Sequence, residues 1–193
     1  MNGNTSKNDR VNHPDYYQGR GGNGIECIDI IRHYICDIAN AIKYCWRAGL
    51  KTEMGMDDAE KEIEDLKKAL WYIGDYRIHY IIDETSIMSH CITMTLREWK
   101  DVDSYELPKS LTDHWIKEQT GHTVEEIVQP YEQHVAYAIG CLLHVGLICD
   151  HRELTPDDYV KWLDEATKAI QQRILDIEHQ LLNKELESTI KER

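Results

Sequence analysis

Positive charge is scarce in this chain. Lys and Arg number 22 against 35 Asp and Glu, a formal net charge of −13 over 193 residues. Duplex nucleic acid is bound by cation-rich surfaces that displace condensed counterions, so this balance excludes duplex nucleic acid as a partner. It does not exclude a nucleotide, for which one local cluster of Lys and Arg suffices. The acids are spread among basic residues rather than massed, which argues against a mimic of DNA. Long apolar runs are missing too. The longest, Ala136 to Ile148, is too short for a bilayer and carries His144 within it, so no membrane partner is expected. Residues 1–10 are polar, and no signal peptide is expected. Six cysteines occur, at 27, 36, 45, 91, 141 and 149, and none forms a CxxC pair. Cysteines set in apolar helical patterns suit a reducing compartment, so the expected location is cytoplasmic. Zinc-type Cys/His spacing is absent, and the ten histidines are scattered. The string GRGGNG at Gly19–Gly24 is not followed by Lys-Ser or Lys-Thr, so a P-loop is excluded as a motif.

What is present is helical pattern. Hydrophobic residues make up 41% and charged residues 30%, the balance of a globular chain with one core, or two small halves sharing one. The expected fold is all-α, a bundle of four to six helices with a flexible N-terminal arm. Residues 1–24, rich in Gly, Asn and Asp, form that arm or lid. Residues 25–80 form a first helical half, 81–122 a connecting segment, and 123–193 a C-terminal helical half. Ile25 to Cys36 reads as a first helix with Cys27, Ile28, Ile31 and Ile35 on one face. Asp37 is placed to cap a second helix that stops at Gly49. Met56-Asp57-Asp58 opens a third, running to about Tyr80, with Ile63, Leu66, Leu70 and Ile73 as its core stripe. Leu111 to Gln119 suggests a short helix. Thr123 with Glu126 forms a capping box, Pro130 marks a kink or fresh start, and Thr155-Pro156-Asp157-Asp158 is a strong helix start.

The two halves align in places. Ala41-Ile42 and Arg47 to Leu50 match Ala138-Ile139 and His144 to Leu147, and IEDLKKAL at Ile63 matches LDEATKAI at Leu163 after a three-residue shift. A degenerate repeat of a helical hairpin would explain this, as would two unrelated amphipathic pairs. In the second copy Lys43 becomes Gly140 and Arg47 becomes His144, so a repeat would have kept packing and lost chemistry.

Three constellations carry chemistry. At about 100° per residue, Asn40, Lys43 and Arg47 share a quadrant of the second helix, with Lys51 joining if the helix continues past Gly49. Ile38, Ala41, Ile42 and Cys45 lie opposite. Arg grips two phosphate oxygens at once, Lys supplies a mobile point charge, and Asn bonds base, sugar or water. A solvated basic face has the same spacing. Tyr44 and Trp46 border it, to stack a base or to pack the core. The second constellation is the acid pairs Glu26/Asp29 and Glu62/Asp65. Facing each other, they suit Mg²⁺ and loosely resemble the acid motifs of all-α nucleoside triphosphate pyrophosphohydrolases. Alternatively they are helix-surface charge, or Glu26 and Asp65 pair with Lys43 and Arg47. The third is the arm, whose His13, Tyr17 and Arg20 could close over a nucleotide.

Four strings taken together resemble a known family. They are NHP at Asn12–Pro14, GIECIDII at Gly24–Ile31, NAIKYCWRAGLK at Asn40–Lys51 and EIEDLKKALWYI at Glu62–Ile73. This set is similar to the early nucleotide kinases of T-odd podoviruses and their relatives, which show NHP-x-HY, GIE-x-I-x-x-I, GNxIKYxxRAGxK and DLxKAxWY. The family's HY reads Tyr16-Tyr17 here, and the loop between Gly49 and Glu62 is longer. The resemblance implies a phage protein that acts on nucleotides, in one branch by transferring a phosphoryl group to a deoxynucleoside monophosphate. It implies catalytic roles for Lys43 and Arg47, supported by Glu26 and Asp65, and substrate contacts from His13, Tyr17, Asn40, Tyr44, Lys51 and Lys68. Mg²⁺ is a candidate cofactor, held by Glu62 and Asp65 in the pyrophosphohydrolase alternative. A further alternative is a protein that sequesters a nucleotide without turnover. A homo-oligomer is compatible with all three.

Overall fold

The computed structural model describes residues 14–18, 24–81, 112–148 and 155–191. Among these residues the chain is all-α, with no strand beyond two isolated bridges, Gln18 with Glu26 and Tyr34 with Leu147. A 3₁₀ turn at Asp15–Tyr17 precedes α1 (Cys27–Ile31), α2 (Cys36–Arg47) and α3 (Asp58–Tyr76), which runs into a π-helical turn at Arg77–Ile81. Then come α4 (Asp113–Thr120), α5 (Val124–Val128), α6 (Gln133–Leu143) and α7 (Pro156–Lys191). The expected connecting segment and the arm's His13 and Arg20 fall largely or wholly outside the described residues.

Four helices make the core. α2 lies against α3 and α6, and α7 lies against α6 and α3. The apolar side of α2 is as the helical period demands: Ile38, Ala41, Ile42 and Cys45 are fully buried. Each buried Ile or Leu stabilises the fold by about 1.5–3 kcal/mol. On α3 the buried apolar residues are Leu66, Ala69, Ile73 and Tyr76, while the expected Ile63 and Leu70 pack at the margin. α7 is buried as far as Ile177; beyond Leu181 every described residue is exposed. None of the described helices is long and apolar enough to cross a membrane.

The helix ends follow their chemistry with two exceptions. Asp57 caps α3 in a box with Glu60, Thr123 caps α5 with Glu126, and Thr155 and Asp158 exchange hydrogen bonds at the start of α7. Gly49, at φ 74°, ends α2 in the left-handed conformation that favours glycine. The first exception is the helix expected over Ile25–Cys36, which stops after Ile31. The Arg32 side chain turns back to the Ile28 carbonyl, and the chain extends at Tyr34 to pair with Leu147. The buried positions are therefore Cys27, Ile30 and Tyr34, and Ile28 is 49% exposed. The second exception is Asp37, which lies within the first turn of α2 and does not cap it. Ile35 is the N-cap, and its N–H donates to the Gly146 carbonyl at 2.9 Å.

Candidate functional site

The cationic face of α2 meets a matching row on α3. Lys61, Asp65, Lys68 and Tyr72 recur at helical spacing, within an arc of about 60°. This row faces Asn40, Lys43, Tyr44 and Arg47, and together they form a cradle. At its floor Arg47 is locked by Asp65: Nε donates to Oδ2 at 2.9 Å and Nη2 to Oδ1 at 2.8 Å. Asp65 is fully buried and Arg47 is 7% exposed. Lys61, also buried, lies 3.5 Å from Asp65 Oδ1, 2.9 Å from Glu64 and 3.3 Å from Glu53. Such a network holds its members in one geometry, because each buried charge depends on the others.

Tyr44 is the centre of the cradle. The Arg47 guanidinium sits 4.5 Å from its ring centroid, Lys43 Nζ 4.7 Å and Lys68 Nζ 5.8 Å. Its other neighbour is Tyr72, stacked at 5.7 Å with 18° between planes. Tyr72 meets Trp71 edge-on at 4.9 Å, and Trp71 is 62% exposed. An aromatic path thus leads from the cations to the surface. Tyr17 of the 3₁₀ turn closes the other side, its hydroxyl beside the Arg47 guanidinium.

Lys43 stands apart electrostatically. Its Nζ donates to Asn40 Oδ1 at 2.6 Å, and among the described residues it has no carboxylate partner. Partial burial and then the neighbouring Arg47 lower its pKa from the ordinary lysine value. Lys68, by contrast, is bonded to Glu64, whose carboxyl is held well below its usual range by Lys68 and Lys61. Cys27 lies near both Lys43 and Arg47, yet burial pushes its thiol up to about 12, so it stays protonated.

The expected residues divide accordingly. Lys43, Arg47, Tyr44, Asn40, Lys68, Asp65 and Tyr17 come together. Asn40 also donates to the Cys36 carbonyl of its own helix at 2.9 Å. Arg47 is not on a solvated face, because Asp65 reaches across to it. Lys51 leaves the row because α2 ends at Arg47 and Gly49 reverses the chain. Trp46 belongs to the core, packed edge-on against Tyr131 at 5.4 Å. Glu26 is the N-cap of α1 and pairs in the backbone bridge to Gln18. Asp29 accepts from Arg32 at 3.0 Å and from the Glu26 N–H. Glu62 turns to α7, where Arg173 donates to it at 2.9 Å. The four acids therefore do not converge, and no group of three or more His, Cys, Asp or Glu suited to a metal ion occurs among the described residues. His13 lies outside them.

The wheel of α2 alone does not reveal Lys61, Tyr72 or Trp71. The signal was available on α3, in a polar stripe of Lys61, Asp65 and Lys68 beside the apolar one. The pairing of Asp65 with Arg47 was among the alternatives the sequence offered; what the stripe could not show is which α2 residue Lys61 and Lys68 would meet. A family profile described as a protein of unknown function (DUF3310) matches residues 11–74, the stretch that contains the whole cradle. No curated protein and no solved structure matches the chain.

Proposed function

We propose that this chain is a nucleotide kinase that seats phosphates against Lys43, Arg47 and Lys68 and transfers a phosphoryl group to a deoxynucleoside monophosphate. The observation that supports it most is Lys43, a partly buried ammonium without a carboxylate partner among the described residues, beside a guanidinium fixed by Asp65. A bound phosphate supplies the missing counter-charge. In a chain of net charge −13, a local cluster of positive charge favours anions against the global field. Phosphoryl transfer asks mainly for positioning and charge neutralisation. Arg47, its Nε and one Nη2 proton held by Asp65, offers its remaining Nη protons, Lys43 and Lys68 follow the moving charge, and Asp65 with Lys61 acts as the positioning pair. Trp71 and Tyr72 offer ring faces to a base. The class of reaction comes from the resemblance of the Asn40–Lys51 and Glu62–Ile73 strings to the phage kinases.

Pyrophosphohydrolysis is less well supported, because Asp29, Glu62 and Asp65 each turn to a different cation. Sequestration uses the same cradle and differs only in yielding no product. Incubation of the purified chain with deoxynucleoside mono- and triphosphates, read by chromatography, separates the three. Diphosphate formed from monophosphate supports the kinase. Monophosphate and pyrophosphate formed from triphosphate point to the hydrolase. Tight binding with unchanged nucleotides leaves sequestration.

A further inference from the structure

The offset that carries Gly24 onto Gly121 carries α1 onto α5 end for end. It places the capping pair Glu26 and Asp29 on Thr123 and Glu126. It carries Tyr34 onto Tyr131 and Gly49 onto Gly146. All four glycines are left-handed, at φ 76° and 78° in the first pair and 74° and 72° in the second. Buried positions coincide too: Ile30 with Ile127, Ala41 with Ala138, Ile42 with Ile139. Amphipathic period alone makes any two hairpins look alike for a turn or two. It does not bring a five-residue helix, its capping box and two left-handed glycines into one register.

The two units also meet as twofold partners do. α2 packs on its counterpart α6, and α3 on its counterpart α7. Tyr34 donates to the Leu143 carbonyl at 2.8 Å, and Tyr131 packs against Trp46, the residue that the offset carries onto Leu143. Contact of i with j and of j with i is the mark of an isologous interface.

The cradle has a counterpart in the second unit, and it differs. After the three-residue shift, Lys61, Asp65 and Lys68 fall on Lys161, Glu165 and Lys168. Glu165 accepts from Tyr137 at 3.4 Å and Lys168 at 3.0 Å. Lys43 and Tyr44, however, become Gly140 and Cys141, and Arg47 becomes His144. His144 is buried, with Thr112 hydrogen-bonded at Nδ1, Asp113 at 3.5 Å from Nε2 and the Trp162 ring at 5.2 Å.

We infer that residues 24–77 and 121–177 are two copies of one three-helix unit, fused as a pseudo-dimer, in which Thr112, Asp113 and Trp162 close the second copy of the cradle. The chain then binds one phosphate-bearing ligand where a symmetric dimer would bind two; this consequence rests on the cradle at Lys43 and Arg47 being an anion site. Two measurements on the full chain keep the inference and that reading apart. Titration calorimetry with inorganic pyrophosphate should give one site per chain, and two sites would overturn the closure. The imidazole nitrogen resonances of His144 should stay those of a neutral ring down to pH 5, since burial holds its pKa at about 4. They should not respond to pyrophosphate. Titration near the ordinary value of about 6.5, or a shift on adding pyrophosphate, would show an open second copy and overturn the inference. No heat, with a neutral and unresponsive His144, would overturn the cradle reading and support the closure.

Discussion

Arg47 shows how far one helix can mislead about one residue. On the wheel of α2 it lies with Asn40 and Lys43, opposite Ile38 and Cys45, and spacing alone leaves it in water. In the fold it is buried, because the partner that neutralises it sits on the next helix. Asp65 is therefore the more sensitive position. Asp65→Asn leaves a buried guanidinium without its counter-charge and should destabilise the chain by about 3 kcal/mol. Urea denaturation should show a lowered midpoint at unchanged slope; an unchanged midpoint would mean that the pair is not buried in solution. Lys43 is the better position for testing binding, since it supports no carboxylate. Its depressed pKa also gives a sign. The free protein loses this proton at a lower pH than an ordinary lysine, while a bound phosphate favours the charged form. Binding should therefore take up a proton as pH approaches the depressed value, and affinity should fall as pH rises through it. Calorimetry in buffers of different ionisation enthalpy reads that uptake directly, and a pH-independent affinity up to the ordinary lysine range would contradict it.

At the scale of elements, the caps and stops were legible in the sequence because they are local. Thr123 with Glu126, Thr155 with Asp158 and Gly49 each need only near neighbours. The breakdown of the first helix after Ile31 was not, because it depends on Tyr34 reaching Leu143 and Leu147, far along the chain. The same limit hid Trp71 and Tyr72, whose meaning comes from Tyr44 on the facing helix. If these rings take the base, Trp71→Ala should weaken nucleotide binding by about 1–3 kcal/mol and leave pyrophosphate binding unchanged. Equal losses for both ligands would assign Trp71 a structural role instead. At the end of α6, His144 lies within an apolar run and is buried with it. Its cost appears on acidification. The unfolded chain takes up a proton at about pH 6.5, whereas the folded chain resists until about pH 4. The unfolded state binds more protons between these values, so His144 lowers stability as pH falls, by up to about 1.4 kcal/mol per unit. His144→Leu should flatten that part of the stability–pH curve without changing ligand affinity. A curve of unchanged slope would place the histidine in contact with water.

At the scale of the molecule, the all-α class followed from helical period, while short matches such as Ala41-Ile42 with Ala138-Ile139 left a repeat and two unrelated amphipathic pairs both open. The register behind the inferred repeat lies in backbone conformation, in paired left-handed glycines that a sequence shows only as glycines. Not all of the chain serves this core. α7 continues well past Ile177, and no residue from Leu182 to Lys191 is buried. Ending the chain after Leu182 should change stability by no more than about 0.5 kcal/mol, read from the urea midpoint; a larger loss would show that the extension has a partner within the chain. One experiment tests the cradle most directly. Inorganic pyrophosphate is titrated calorimetrically into the wild-type chain and into Lys43→Gln, after both are shown to unfold at the same urea concentration. Loss of a charge-assisted contact should weaken binding by about 1.5–3 kcal/mol, roughly 10- to 150-fold. Equal affinity in the two chains, or no binding by the wild type, would contradict a phosphate site at Lys43.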